Sequence, residues 1–149
     1  MNYSNKNMKS NFYLLTFLLI IFFTINGYAA ERKKYNFNSE WRLQVGDFPQ
    51  AKKPDFKDSS WKQVTLPHAF NEDEAFRISI EQHTDTVVWY RKHFRIEELR
   101  GKKVFVEFEG VRQGGEFFLN GQYLGLHENG VMAVGFDLTP YMKEGDNVL

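Results

Sequence analysis

The sequence predicts an all-β domain. Aromatic residues make up 17% of its 149 residues, and short runs that alternate apolar and polar side chains recur between turn-forming residues. Alternation with a period of two is the pattern of strands that bury one face, and the longer helical period is scarce in this chain. A chain of this length can build one domain with its own hydrophobic core.

The first three predicted strands lie between residues 41 and 96. WRLQV at 41–45 alternates and ends at the glycine that follows it. WKQVTL at 61–66 alternates again and ends at a proline, which cannot donate a hydrogen bond to a sheet. VVWYRKHFRI at 87–96 is the longest run, and its second half separates apolar from basic side chains. The apolar face would hold Tyr90, Phe94 and Ile96, and the basic face Arg91, His93 and Arg95.

Residues 102–111 and 131–139 are the later predicted strands, and residues 140–143 are expected to make one helical turn. Asn147 opens a further apolar run that stops at Leu149. A strand cut so short would leave its neighbour with an unpaired edge, which natural sheets avoid. We therefore expect a fragment of a longer protein with its final strand truncated, rather than a chain with a frayed C-terminus.

A β-hairpin is predicted within EFFLNGQYLG at 116–125. Asn120-Gly121 lies between two apolar runs, and this is the strongest short-range hairpin signal because both turn residues need φ > 0. Asn120 and Gly121 are therefore predicted to be structural. Gly114-Gly115, just before the hairpin, is expected to form a bulge or a close backbone contact.

Residues 1–29 are predicted to be a cleavable secretory signal peptide. Two lysines precede an apolar core at 12–25, and small residues stand at the two positions that a signal peptidase inspects before a cut after Ala29. The alternative is an uncleaved membrane anchor, but a spanning helix needs roughly 18 or more apolar residues. We expect a periplasmic or secreted protein without a stable membrane span, in which a linker at 30–40 precedes a domain at 41–149.

The composition limits the possible partners. Because the chain has no cysteine, it lacks disulfides and thiolate metal sites, and a secreted domain of this kind favours a bacterial periplasm or exterior. The 19 basic and 19 acidic residues become 17 and 19 once the two signal lysines are removed. This balance provides no sustained field for nucleic acid or an anionic membrane. The four histidines show no metal-ligand spacing, so neither a metal nor a cofactor is predicted.

The main candidate for chemistry is an acidic loop, HAFNEDEAF at 68–76. An EF-hand calcium loop is excluded because phenylalanine and glutamine occupy the positions that need glycine and a bidentate glutamate. The acid and nucleophile of a glycosidase need a fixed separation that neighbouring loop residues seldom provide. Two interpretations remain open. One is a sugar subsite, in which carboxylate and amide oxygens accept hydrogen bonds from hydroxyls beside an aromatic face, and the other is a solvated acidic loop.

Five stretches of the sequence, taken together, indicate a resemblance to a known family. They are DFKDSSWKQVTLPHAFN at 55–71, WYRKHFRI at 89–96, GKKVFVEFEGV at 101–111, FFLNGQYLGLHENG at 117–130 and FDLTPYMKEGDNVL at 136–149. In this order they resemble the N-terminal sugar-binding domain of glycoside hydrolase family 2, which includes β-galactosidases, β-glucuronidases and β-mannosidases. The resemblance covers residues 41–149 and implies a jelly-roll β-sandwich, similar to galactose-binding domains.

The resemblance also implies where sugar is bound. In the family the loop after LPH lies at the rim of the active site, so Asn71 and Asp73 become candidate residues for binding a terminal β-linked sugar. Arg91 of the WYRK motif is expected to be structural. Glu128 and Asn129 follow the hairpin and are expected to maintain the loop rather than to contact the sugar.

A secreted, exo-acting, retaining glycoside hydrolase of the β-galactosidase type is the function that the resemblance implies. In the family an immunoglobulin-like domain and a TIM barrel follow this domain, and the barrel holds both catalytic glutamates. No catalytic residue is therefore expected in this chain, and the chain alone is expected to be inactive. Two alternatives stay open, because the same sandwich serves several roles. They are a free-standing, non-catalytic carbohydrate-binding module or adhesin, and a purely structural domain packed on a barrel.

Overall fold

The computed structural model describes residues 32–71 and 86–149. The chain divides into two compact units, residues 1–35 and 36–149, and every strand described below belongs to the second unit. The predicted signal peptide and its cleavage site at Ala29 lie outside the described residues, as does Asp73 of the acidic loop.

Eight strands and one short 3₁₀ helix make up the regular structure of the described residues. The strands are β1 (Trp41–Val45), β2 (Lys62–Val64), β3 (Val88–Ile96), β4 (Phe105–Phe108), β5 (Gly115–Leu119), β6 (Gln122–His127), β7 (Val134–Asp137) and β8 (Gly145–Val148), and the 3₁₀ helix is Pro49–Lys52. The predicted all-β class is confirmed, because apart from this one helical turn the regular structure of the described part of the chain is strand.

The strands form three hydrogen-bonded groups, and all of their pairings are antiparallel. The largest is a four-stranded sheet in the order β2-β1-β3-β8, and the other two are the pairs β4-β7 and β5-β6. The long strand β3 pairs along its first part with β1 and along its last part with β8. It therefore crosses the centre of the largest sheet and presents side chains to loops on both faces.

The hydrophobic core lies between the four-stranded sheet and the two strand pairs. Trp41 and Leu43 from β1 are buried in one cluster with Val106 from β4 and Leu119 from β5. The ring of Trp41 contacts that of Phe108 across this layer, with 6.2 Å between the ring centroids. Full burial of each such side chain stabilises the fold by about 1.5–3 kcal/mol. Two sheet layers around one apolar core agree with the predicted β-sandwich.

The predicted separation of faces along β3 is confirmed. Tyr90 lies opposite Leu43 on the core side, and Arg91 lies opposite Arg42 on the outer side. One lysine of the strand departs from this pattern. Lys92 is buried on the apolar face, but its ammonium group donates to the Ser39 carbonyl at 2.6 Å. A long aliphatic stem can cover apolar surface in this way while the charged end finds a polar partner.

Strands β4 and β7 are shorter than the sequence predicts, and at the end where β4 begins and β7 ends a turn supplies the hydrogen bonds. The Val104 amide donates to the Thr139 side-chain oxygen at 2.9 Å, and the Leu138 amide donates to the Val104 carbonyl at 2.9 Å. The expected helical turn follows directly, since the amides of Tyr141 and Met142 both donate to the Leu138 carbonyl at 3.0 Å.

The hairpin prediction is confirmed by the backbone of its turn. Asn120 has a φ of 52° and Gly121 a φ of 85°, which are the positive values that a two-residue hairpin turn needs. The expected bulge is displaced along the hairpin. The pairing is regular at Gly115, and the register shifts between Phe117 and Phe118, so that Leu124 becomes the extra residue of the opposite strand.

Candidate functional site

The first polar region is the loop root, which we define as residues Leu66–Asn71, where the chain leaves the four-stranded sheet for the acidic loop. Its first amide, that of Leu66, donates to the Asn38 carbonyl at 2.8 Å. Two residues further on, the Tyr90 hydroxyl lies 3.2 Å from the Nδ1 atom of His68 and donates to the His68 carbonyl at 3.3 Å. The loop root is thus bonded to the sandwich at two points.

The hydrogen bonds between Tyr90 and His68 have one consistent arrangement. With its Nδ1 protonated, the imidazole donates to the hydroxyl oxygen, and the hydroxyl donates to the carbonyl of the same histidine. Burial raises the pKa of Tyr90 above its usual value, so the phenol keeps its proton at neutral pH. The tyrosine is therefore a neutral anchor whose position is set by β3.

The two predicted sugar-binding residues differ in what the structure describes. Asn71 is half-buried in a turn at the end of the loop root, next to Phe70, whose side chain is 38% exposed. Asp73 lies outside the described residues. Their contact with a sugar therefore stays a prediction, and what the structure adds is the anchoring of the segment that leads to Asn71.

The second polar region is the Asp58 cluster, which consists of Arg42, Asp58, Arg91 and His93. The Asp58 carboxylate is 3% exposed and accepts hydrogen bonds from Arg42, from Nε of Arg91 at 2.7 Å and from Nε2 of His93 at 2.7 Å. Burial alone would raise the pKa of Asp58, but the hydrogen bonds from His93 and Arg91 bring it below its usual value. The carboxylate is therefore held in its charged form by three donors.

Arg91 connects this cluster to the chain between β1 and β2. Its side chain is 2% exposed, and Nη1 donates to the carbonyls of Ala51 and, at 3.1 Å, Lys53. The guanidinium carbon lies 5.5 Å from the centre of the Phe56 ring. A buried cation with such partners holds the connection against the outer face of the sheet. This contact pattern agrees with the structural role expected for Arg91.

Sequence reasoning missed Asp58, although a signal was available. Alternation places Arg42 and Arg91 on the outer face of their strands, but only the pairing register puts them directly opposite each other. Like charges in that position repel, so an anion must lie between them. Three carboxylates, those of Asp47, Asp55 and Asp58, lie between β1 and β2 outside helices and strands, so the sequence limited the choice to these three and the tertiary structure selects Asp58.

A third polar group joins the hairpin turn to β8. The Asn120 amide donates to the Val148 carbonyl at 2.9 Å, and the Val148 amide donates to the Asn120 side-chain oxygen at 3.0 Å. The side-chain amide of Asn120 also donates to Oδ1 of Asn147 at 2.8 Å. Asn147 is 1% exposed, and its Nδ2 donates to the carbonyls of Lys143 and Gly145 at 2.8 and 3.0 Å. The hairpin asparagine is therefore structural, as predicted, through its side chain as well as its backbone.

The loop after the hairpin is organised by local contacts. His127 is the last residue of β6, opposite Gly115, and its Nε2 atom is buried without a hydrogen-bond partner among the described residues. The Asn129 side chain accepts a hydrogen bond from the Val131 amide at 3.1 Å, and Glu128 is exposed. These contacts agree with the fold-maintaining role expected for this loop.

Within residues 32–71 and 86–149, no three histidine or carboxylate side chains are grouped closely enough to hold a metal ion. The same residues contain no helix that is long and apolar enough to span a membrane.

The fold and the polar regions define a β-sandwich domain with its candidate binding loop at the end of a strand. Comparison with known families identifies it more closely. The family described as glycosyl hydrolases family 2, sugar binding domain, matches residues 36–149, which is most of the chain. The chain therefore belongs to this family of sugar-binding domains.

Relatives and solved structures agree with this assignment. The chain is 39% identical over 126 residues to a β-glucuronidase of Formosa agariphila and 38% identical over 131 residues to the β-galactosidase BoGH2A of Bacteroides ovatus. These alignments cover 79% and 81% of the chain but only 13% and 15% of the relatives' length. The solved structure of a β-glucuronidase from glycoside hydrolase family 2 superposes with a TM-score of 0.73 at 37% identity, covering 81% of this chain and 14% of that one. The predicted jelly-roll β-sandwich is confirmed by this shared fold.

Proposed function

We propose that the complete protein is an exported, exo-acting β-glycoside hydrolase, and that the domain described above helps to bind the terminal sugar. The carrying observation is the family match over residues 36–149, together with relatives 38–39% identical that are named β-glucuronidase and β-galactosidase. In this proposal the catalytic carboxylates belong to further domains, as the family resemblance implies, and no residue described above is assigned a catalytic role.

A β-D-glucuronide and a β-D-galactoside are the two proposed substrates, because they are the sugars in the names of these relatives. Within the domain, Asn71 and Asp73 are proposed to accept hydrogen bonds from hydroxyl groups of the terminal sugar. The support for this assignment is that both residues belong to the segment that follows LPH in the sequence, where the resemblance puts the rim of the active site.

The test is an assay of the full-length protein with p-nitrophenyl β-D-glucuronide and p-nitrophenyl β-D-galactoside. Release of nitrophenol from one of them, well above a control without enzyme, is the expected result. The chain described here, purified alone, should release none from either. If the full-length protein bound oligosaccharides without cleaving any β-glycoside, it would be a carbohydrate-binding module or adhesin, and the proposed function would be wrong.

Two further parts of the proposal have their own measurements. A retaining mechanism predicts that the first product seen by proton NMR is the β-anomer, before mutarotation converts it; a first product in the α-form would exclude retention. Export predicts that N-terminal sequencing of the mature protein begins at Ala30. A mature chain that begins at Met1 would exclude cleavage of the signal peptide.

A further inference from the structure

We propose that Tyr90 is a positioning residue, whose hydroxyl holds the loop root so that Asn71 meets the terminal sugar in the correct place. The inference rests on the proposed function, since it concerns a residue that affects sugar binding only through its contact with the loop root. It adds to that function a residue that belongs to the sheet and does not touch the sugar.

The first step is that the Tyr90 hydroxyl is held at a defined point. Tyr90 is paired with Leu43 in the centre of the four-stranded sheet, and its ring packs partly buried against the hydrophobic core. A tyrosine has only two rotatable side-chain bonds, so a ring held in this way leaves its hydroxyl little freedom. The sandwich therefore determines where the hydroxyl lies, independently of the loop.

The second step is that both contacts of the hydroxyl fall on one residue. It meets the imidazole of His68 at 3.2 Å and the carbonyl of His68 at 3.3 Å. The first contact restricts the side chain, and the second restricts the peptide unit that leads to the next residue. Removal of the hydroxyl alone would release both, while the ring that fills the core would remain.

The third step is the short distance along the chain to the candidate ligand. His68 precedes Asn71 by three residues. Two residues before His68, the Leu66 amide donates to the Asn38 carbonyl. With Leu66 and His68 both bonded, only Ala69 and Phe70 lie between the anchored part and Asn71. Misplacement of a binding group by about 1 Å can lower catalysis by as much as 100-fold. A small shift at His68 is therefore sufficient to change sugar binding.

The experiment is a double-mutant cycle in the full-length enzyme with the nitrophenyl glycoside that it cleaves. The variants are Tyr90→Phe, Asn71→Ala and the double mutant, with Tyr123→Phe as the matched control because that tyrosine is 50% exposed on β6. Loss of a neutral hydrogen bond predicts that Tyr90→Phe lowers kcat/KM roughly three- to tenfold, mainly by raising KM. In the Asn71→Ala background the same substitution should change kcat/KM by less than about twofold, because the residue that it positions is gone.

Conservative replacement of the partner provides a rescue. The Nδ2 atom of an asparagine stands close to the place of an imidazole Nδ1, so His68→Asn should keep most of the activity. His68→Leu loses the side-chain contact but keeps the backbone carbonyl, so it should show part of the loss seen for Tyr90→Phe. A purely structural role for the tyrosine would move the unfolding temperature but would not depend on Asn71.

The outcomes separate the inference from the proposed function. If the wild-type enzyme cleaves no β-glycoside, the proposed function fails and the inference falls with it. If the wild-type enzyme is active, the inference is overturned by any of three results, the second of which also removes Asn71 from the proposed sugar-binding residues. The three results are wild-type kinetics for Tyr90→Phe, wild-type kinetics for Asn71→Ala, and an equal loss from Tyr90→Phe with and without Asn71.

Discussion

The two faces of β3 bind neighbouring loops by different chemistry. On the outer face, Arg91 and His93 hold the connection between β1 and β2 through the buried Asp58 carboxylate. On the core face, Tyr90 holds the loop root through one neutral hydroxyl and His68. The first contact is buried, charged and shared among several donors, and the second is neutral and can be removed without leaving a buried charge.

This difference indicates that the stability of the fold depends on the connection between β1 and β2, whereas the loop root can change its position without unfolding the domain. Removing either the buried carboxylate or its donors leaves a buried charge without a partner, which strongly destabilises the fold. The residues of the Asp58 cluster therefore have little freedom to vary. A neutral hydrogen bond contributes about 0.5–1.5 kcal/mol, so the loop root can change while the sandwich remains folded. We therefore expect substitutions in the first region to act on stability and substitutions near the second to act on sugar binding.

The largest expected effect is that of Asp58→Ala. It leaves Arg91 buried without its counter-ion, which should lower the free energy of unfolding by about 3–5 kcal/mol. Urea unfolding of residues 36–149, followed by tryptophan fluorescence, measures the change. Asp55→Ala is the control, because this exposed carboxylate in the same connection should change stability by less than about 0.5 kcal/mol. Equal midpoints for the two variants would show that the cluster is not an anchor.

Next in size is Asp73→Ala in the full-length enzyme. A hydrogen bond to a charged group contributes about 1.5–3 kcal/mol, so kcat/KM should fall roughly 10- to 150-fold. Glu74→Ala is the matched control, since it removes a carboxylate from the same loop. The unfolding temperature should barely change in either variant. Wild-type kcat/KM in both Asp73→Ala and Asn71→Ala would indicate that the loop is solvated surface. A parallel loss of stability would instead make these residues structural.

Asn147→Ala tests whether an uncharged buried network behaves like the Asp58 cluster. The substitution removes the donor to the carbonyls of Lys143 and Gly145, which are only partly buried, and each neutral hydrogen bond contributes about 0.5–1.5 kcal/mol. We expect a loss of stability below that of Asp58→Ala and above that of Asn129→Ala, whose side chain is exposed. Differential scanning calorimetry gives the order directly, and a midpoint equal to that of Asn129→Ala contradicts the prediction.

The smallest effect is the acid dependence of the Asp58 cluster. The pKa of Asp58 is lower in the folded protein than its usual value of 3.8, so its contribution to stability is complete above that value and is lost as the pH falls through the folded pKa. The stability difference between the wild type and Asp58→Asn should therefore shrink as the pH falls below about 4. Urea unfolding at pH 7, 5, 4 and 3 measures it, and a difference that does not change with pH would exclude the linkage.

Local patterns predicted most of the fold correctly. Alternation identified β1 with its bounds and separated the faces of β3, because a period of two is a property of the extended backbone itself. Asn120-Gly121 predicted its own turn for the same reason, since positive φ is a local requirement. The ends of β4 and β7 were less accurate, because the Thr139 side chain replaces a ladder partner that only the folded chain brings near Val104.

The sequence by itself determined the succession of strands along the chain, the hairpin and the separation of core-facing from polar side chains. The tertiary structure decided which polar groups meet. Asp58 reaches Arg91 across 33 positions of sequence, Asn147 reaches Asn120 across 27, and Tyr90 reaches His68 across 22. Nothing in the local pattern determines such pairs, because they depend on sheet register and on how the loops cross the faces of the sandwich. For the buried groups among them, Asp58, Arg91 and Asn147, the pairing stabilises the fold because an unpaired polar group in a core is costly.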